Sequence, residues 1–293
     1  MIDAHHHLWD LNAVNYPWLM EKGKRRFFGD PTSIQRNYLI DEHIELANEL
    51  GFKGSVHIQV GAADGLEEAQ WINRVVNENQ SWPMVQVAFC DLSSDQREVH
   101  LDKLQKLSSV VGVRQIIGRS PAEDANSKTN DLLTSDNFMQ GLQSISDRGL
   151  TFDLQIIPEL LKTCASVFSQ FPNLQVILCH AGSPYNRTLE GIKSWANDLT
   201  HLSNLSNVSC KLSGLGMFDH NWTGSTVAPI VTTVIDQFGS KRVMFGSNFP
   251  VDSLSSSFEQ LFTRLSSNID GKDFEDVFSK TAQRIYFSNF SAF

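Results

Sequence analysis

Titratable residues recur at fixed spacings inside segments that otherwise read as buried strands. At the start of the chain, IDAHHHL (residues 2–8) sets Asp3, His5 and His7 at alternate positions. An extended backbone would present these three on one face and His6 on the other. Two imidazoles one residue apart on a strand suit divalent-metal ligation or polarisation of a carbonyl. His180 ends the apolar run LQVILCH and is followed by Ala-Gly-Ser-Pro, a switch from buried strand to turn. Arg114 in VVGVRQI and Lys211 in NVSCKLS are cations in strand-like settings. Burying either alone is costly, so each pairs with an acid or faces a polar mouth that receives an anionic or oxygen-rich ligand. The second option is expected for both. His57 and Gln59 of GSVHIQV would add a polar wall. RVMFGSNFPVDS carries Asn248 and Asp252 around a proline that should end the strand. An amide orients water or a carbonyl but is no general base near neutral pH. Asp252 could be a base or could cap the next helix.

Positioning these groups requires strands that end at one rim. Strand-like runs recur at 2–8, 54–60, 84–89, 110–116, 150–156, 174–180, 207–213 and 242–247. Apolar stripes at three- and four-residue intervals fill the gaps, such as Leu66, Ala69, Ile72 and Val76, or Val227, Ile230, Val234 and Phe238. Eight strands alternating with helices predict an α/β fold, a single (β/α)8 TIM-barrel domain over residues 1–293. A doubly wound sheet competes, because periodicity alone does not show closure. No glycine-rich dinucleotide fingerprint follows the first strand, and no phosphate-binding GxxxxGK[ST] motif is present. The stretch at about 9–41 exceeds a typical βα loop and is expected to form a partly structured cap over one end. Residues 119–134 would give a second wall or a lid.

Composition sets the outer limits. The 293 residues are 41% hydrophobic and 19% charged, which fits a globular chain and excludes a disordered one or a coiled coil. With 24 Lys and Arg against 33 Asp and Glu, the net charge is −9. Nucleic acid would demand a concentrated basic face, and KGKRR (residues 22–26) is the one candidate run. No nucleic-acid partner is expected. No stretch approaches 18 apolar residues, so no membrane span is expected. The opening segment lacks a secretory pattern, and Cys90, Cys164, Cys179 and Cys210 form no CxxC pair. A reduced, cytoplasmic setting is the expectation.

Taken in order, IDAHHHLWD, YPWL, GVRQI, FDLQI, VILCHAGSP, CKLSG and RVMFGSNFPVD resemble the amidohydrolase-related branch of the amidohydrolase superfamily. That branch includes 2-pyrone-4,6-dicarboxylate lactonase and L-fuconolactonase-like sugar lactonases. The resemblance spans nearly the whole chain and implies a distorted TIM barrel that opens a ring ester in a small polar acid. It matches His5 and His7 to the family's first-strand HxH pair and His180 to its sixth-strand histidine. Gln155 stands where many members carry a fifth-strand histidine, and Asn248 where catalytic members commonly carry aspartate. Either His180 or Asp252 takes over that work, or activity is altered or absent.

The resulting expectation is a lactonase acting on a small polar or anionic lactone. His5, His7, His180, Asn248 and Asp252 would form its catalytic group. His57, Gln59, Arg114, Gln155 and Lys211 would contact the substrate. The cofactor is either none or one divalent metal such as zinc on His5, His7 and His180. The alternatives are a metal-dependent decarboxylase or C–C hydrolase of the same superfamily, or a non-catalytic small-molecule binding barrel. A homo-oligomer is compatible with the sequence, which does not specify one.

Overall fold

The structure is a computed structural model that describes residues 1–123 and 129–288. Eight parallel strands follow one another around one sheet in chain order. They are β1 (Asp3–His6), β2 (Ser55–Ile58), β3 (Met84–Ala88), β4 (Val110–Val113), β5 (Thr151–Leu154), β6 (Val176–Leu178), β7 (Val208–Leu212) and β8 (Val243–Phe245). Helices α1 (Ile40–Glu49), α2 (Gly65–Glu78), α3 (Arg97–Leu104), α4 (Asp136–Asp147), α5 (Leu161–Phe168), α6 (Leu189–Ser203) and α7 (Gly224–Phe238) separate them, and α8 (Phe258–Ser266) follows β8. This is a nearly closed, distorted (β/α)8 barrel, as the alternation predicts.

Local chemistry sets the helix starts. Asp64 accepts from the Leu66 and Glu67 N–H groups ahead of α2. Ser135 and Thr188 cap α4 and α6 in the same way. Thr223 and Ser257 open α7 and α8 with reciprocal capping boxes.

The barrel is filled rather than hollow. Ile2, Ala4, Val56, Ile58, Val85, Val87, Ile177 and Met244 form an apolar interior cluster. A second, larger cluster packs sheet against helices and includes Phe52, Phe138, Phe152, Phe245 and Phe278. Cys90, Cys164, Cys179 and Cys210 are all buried with free thiols.

The seam between β8 and β1 is joined just past the strand ends. Asn248 N–H donates to the His5 carbonyl at 2.7 Å, and His7 N–H donates to the Phe249 carbonyl at 2.7 Å. Gly246 lets the two backbones approach, since a Cβ there would stand 2.5 Å from His5 Cβ.

β1 also corrects one expectation. Asp3 pairs with Ser55 and His6 with His57, so β1 advances three residues while β2 advances two. The extra residue breaks strict alternation, and Asp3 does not share a face with His5 and His7. Its carboxylate accepts from the Ser247 hydroxyl at 2.5 Å and lies 3.6 Å from Nε2 of His43 on α1. His6 stacks on that same His43, with ring centroids 3.9 Å apart.

The segment between β1 and α1 folds back on the barrel. Trp9 and Tyr38 exchange backbone hydrogen bonds at 3.0 Å. Trp18, in a single helical turn at Pro17–Met20, donates its indole N–H to the Val60 carbonyl at 2.7 Å. Residues 124–128 of the expected wall at 119–134 lie outside the described residues.

Candidate active site

Above the apolar interior, a cavity of about 230 Å³ opens at the carboxyl ends of the strands. His7, Arg114, Gln155, His180 and Asn248 line it from the barrel. Pro17, Trp18, Arg26, Phe27 and Phe28 line it from the segment after β1, and Arg119 from the segment after β4. His5 lies beneath, fully buried, its ring centroid 5.1 Å from His7 and 4.7 Å from His180. Neither His5 ring nitrogen has a hydrogen-bond partner among the described residues.

The turns after β6 and β8 aim their residues by the same device. His180 has φ 55° and Asn248 φ 55°, both left-handed. Asn tolerates this region, whereas His and the neighbouring Ala181, at φ 52°, are held there against their preference. Sparse backbone conformations of this kind gather where side-chain direction matters. Gly214, itself at φ +62°, lets the His180 ring in, because a Cβ there would sit 2.3 Å from His180 Nδ1. Ser213 holds the same Nδ1 at 2.9 Å, which leaves Nε2 for the cavity.

Burial holds His5, His7 and His180 well below the usual imidazole range, so all three are neutral near pH 7. After burial, the largest contribution in the same direction comes from Arg114 for both His7 and His180, and from competition with His180 for a proton in the case of His5. Arg114 donates to Gln155 Oε1 at 3.0 Å and to the Gln59 carbonyl, while its Nε has no hydrogen-bond partner among the described residues.

His7, Asn248 and Asp252 form a continuous chain. His7 Nδ1 lies 2.7 Å from the Ile58 carbonyl, and Nε2 lies 3.2 Å from Asn248 Oδ1. Asn248 Nδ2 donates to Asp252 Oδ1 at 3.0 Å. A carboxylate and a carbonyl only accept, so an ionised Asp252 obliges His7 to donate from both nitrogens. Burial opposes that charged imidazole, and it also pushes the Asp252 carboxyl up to about 7. Protonated Asp252 would donate to Asn248 Oδ1, and the turned amide would donate to a neutral His7. The proton on Asp252 and the orientation of the amide are therefore linked.

Several expected site residues lie elsewhere. Lys211 does not face the mouth: its ammonium is fully buried, 2.6 Å from Asp153, and lies 4.9 Å from the Tyr286 ring centroid. Tyr286 donates to the same carboxylate at 2.8 Å. An acid two strands away in sequence order satisfies the cation, a pairing that spacing cannot reveal. His57 accepts the Leu8 N–H on Nδ1 at 3.1 Å, and its Nε2 lies 3.7 Å from Glu68. Gln59 is spent on the Gly61 N–H and the Arg114 carbonyl. Neither lines the cavity. Asp252 reaches it through Asn248. Burial holds His57 and His43 at about 3 and raises Glu68 to about 7 and Asp3 to about 6, so the His57–Glu68 and His43–Asp3 contacts join groups that burial drives toward neutrality.

Trp18, Arg26, Phe27 and Phe28 line the cavity from the expected cap at about 9–41 and Arg119 from the expected wall at 119–134, whereas Met217 lies outside both segments and was passed over. Arg26 was visible as the end of KGKRR, though as part of a basic run rather than a pocket residue.

A divalent metal does not fit this donor set. Among the described residues no group of three His, Cys, Asp or Glu is placed to hold one. Both His7 nitrogens face oxygens, and position 248 offers a neutral amide where a carboxylate would offset the ion's charge.

The family model described as amidohydrolase matches residues 2–287. An uncharacterised Sinorhizobium fredii protein, y4mH, is 32% identical over 266 residues, 89% of each chain. An L-fucono-1,5-lactonase of Burkholderia multivorans is 22% identical over 97% of this chain and 95% of its own. An amidohydrolase of Burkholderia multivorans solved with bound zinc shares the fold at a TM-score of 0.83, with 21% identity and 98% of each chain covered.

Proposed function

The chain belongs to the amidohydrolase family, and from that premise we propose that it is a hydrolase opening a small carboxylated or sugar-acid lactone. One observation carries the reading: His7, His180, Arg114 and Asn248 face a single cavity at the catalytic end of the barrel. The ring carbonyl sits by Arg114, whose fixed guanidinium meets the negative charge that grows on oxygen during attack. Neutral His180 accepts a proton from water on Nε2 as the water oxygen bonds to the carbonyl carbon. Asn248 orients that water. Collapse of the tetrahedral intermediate breaks the ring C–O bond, and His180 returns its proton to the leaving alkoxide. The lactonase relative, though distant, supports the same chemistry.

A panel of aldonolactones and carboxylated pyrones, followed by acid release, tests the reading. Ring opening of at least one class is expected, and no turnover across the panel overturns it. Because the donor set does not fit a metal, turnover should persist in protein holding less than about a tenth of an equivalent of metal after chelation. Loss of activity restored by zinc would reject that part of the mechanism.

A second reading has its own observation. Asn248 removes the carboxylate that would activate water, as a barrel that binds a small molecule without turnover could tolerate. Ligand binding with no turnover over the whole panel would favour it.

A further inference from the structure

His57 is a buried imidazole that the proposed reaction leaves unused, although it braces two walls of the cavity from behind. Val56 and Ile58 join the apolar barrel interior, so His57 between them faces the helices. Its Nδ1 accepts the buried Leu8 N–H at 3.1 Å, just past the end of β1 at His6. An imidazole thus takes the place of a strand carbonyl as acceptor, beyond the last paired residues, His6 and His57. Accepting there leaves the ring proton on Nε2, which faces Glu68 Oε1 at 3.7 Å. Burial keeps the ring neutral, as this acceptor role requires. The same Glu68 oxygen accepts the Val60 N–H at 2.9 Å, and the Val60 carbonyl holds the Trp18 indole. His7 and Val60 both line the cavity, so one imidazole and one carboxylate brace them from outside the barrel.

Leu8 follows His7 directly, and its bond to His57 pins the chain on the β2 side. On the other side the His7 N–H donates to the Phe249 carbonyl at 2.7 Å. Held between these anchors, the His7 ring sets Nδ1 against the Ile58 carbonyl and Nε2 against Asn248 Oδ1. We infer that His57 is a positioning residue: through Leu8 it aims His7, and through His7 the Asn248 amide that orients water. The inference rests on the hydrolase reading for its effect on rate, while the aim of His7 can be measured without turnover.

Two substitutions separate the acceptor from the bulk of the ring. In His57→Asn the amide oxygen is bonded to Cγ as Nδ1 was, and still accepts. His57→Leu fills similar space and accepts nothing. His57→Leu should lower kcat about tenfold with KM within about twofold, because the misplaced amide fails only in orienting water. His57→Asn should keep kcat within about threefold of wild type. Nitrogen-15 NMR of the histidine-labelled full chain adds readouts that need no turnover. Wild-type His57 should carry its proton on Nε2, and the His7 ring signals should move in His57→Leu but not in His57→Asn. A proton on Nδ1 of wild-type His57 overturns the inference. So does an unchanged kcat in His57→Leu, a loss taken in KM instead, or an equal loss in both variants. Should His57→Leu fail to fold, the wild-type tautomer and the kcat of His57→Asn decide by the same criteria. With no wild-type turnover on any lactone the hydrolase reading fails, and the His7 signals then uphold or overturn the positioning.

Discussion

In the proposed mechanism His180 and Asp252 would divide the proton work that one aspartate would do in a carboxylate-bearing site. His180 is neutral, held at Nδ1 by Ser213, and lines the cavity. His180→Ala should lower kcat/KM about 10²- to 10⁴-fold, the usual worth of a general base, with the far-ultraviolet circular dichroism unchanged. Retained turnover would remove His180 from the mechanism. Asp252 accepts from the Asn248 amide, and its carboxyl is pushed up to about 7 by burial. Turnover should therefore fall above about pH 7, as ionised Asp252 turns the amide and demands two donated protons from His7. Asp252→Asn should erase that limb of the pH–rate profile, and a profile unmoved by the substitution would break the proposed link. Among these residues, types and order were legible in the sequence. The orientation of the amide was not, because it depends on which groups meet across the seam.

At the scale of elements, the left-handed turns after β6 and β8 decide what the mouth contains. The Gly214 turn after β7 completes the arrangement by making room for the His180 ring. Gly214→Ala forces a Cβ against that ring and also strains a positive-φ backbone. It should cost about 1–2 kcal/mol of stability and cut kcat more than it raises KM. Thermal melts and initial rates would check both, and an unaltered kcat would mean the ring has room to move. All eight strands were readable from β-branched, apolar runs, and most helices from their stripes. Helix α1 was not singled out, since it follows a long irregular stretch whose turns obscure its start. It matters because it carries His43, which stacks on His6. The bulge in β1 was equally invisible, because it exists only as a mismatch in count between two paired strands.

For the molecule as a whole, burial of titratable groups dominates the response to pH. His5, His6, His7, His43, His57 and His180 are fully buried and all shifted downward. Each takes up a proton on unfolding below about pH 6.5, so each destabilises the fold as pH falls. Asp3, Glu68 and Asp252 are shifted up to about 6, 7 and 7, and these work the other way. They hold protons in the folded state that the unfolded chain releases above about pH 4, so their contribution is lost as pH rises. Six groups against three leave a net uptake on unfolding between about pH 4 and 6. The melting temperature should drop steadily as pH falls through that window. A flat profile would show that the histidines titrate together with their acids.

The sequence by itself determined the alternation of strands and helices, the family resemblance, and the histidines at strand ends, because periodicity and residue type are local properties. Tertiary structure alone decided which polar groups face the cavity. Lys211 found Asp153, His57 found Glu68, and Asp3 turned toward Ser247 and His43. Arg26 came from a distant segment to join Arg114 at the same cavity. The reason is that a buried charge or imidazole takes whichever partner the closed barrel brings within a few ångströms. That partner is set by which strands and helices become neighbours in space, not by spacing along the chain.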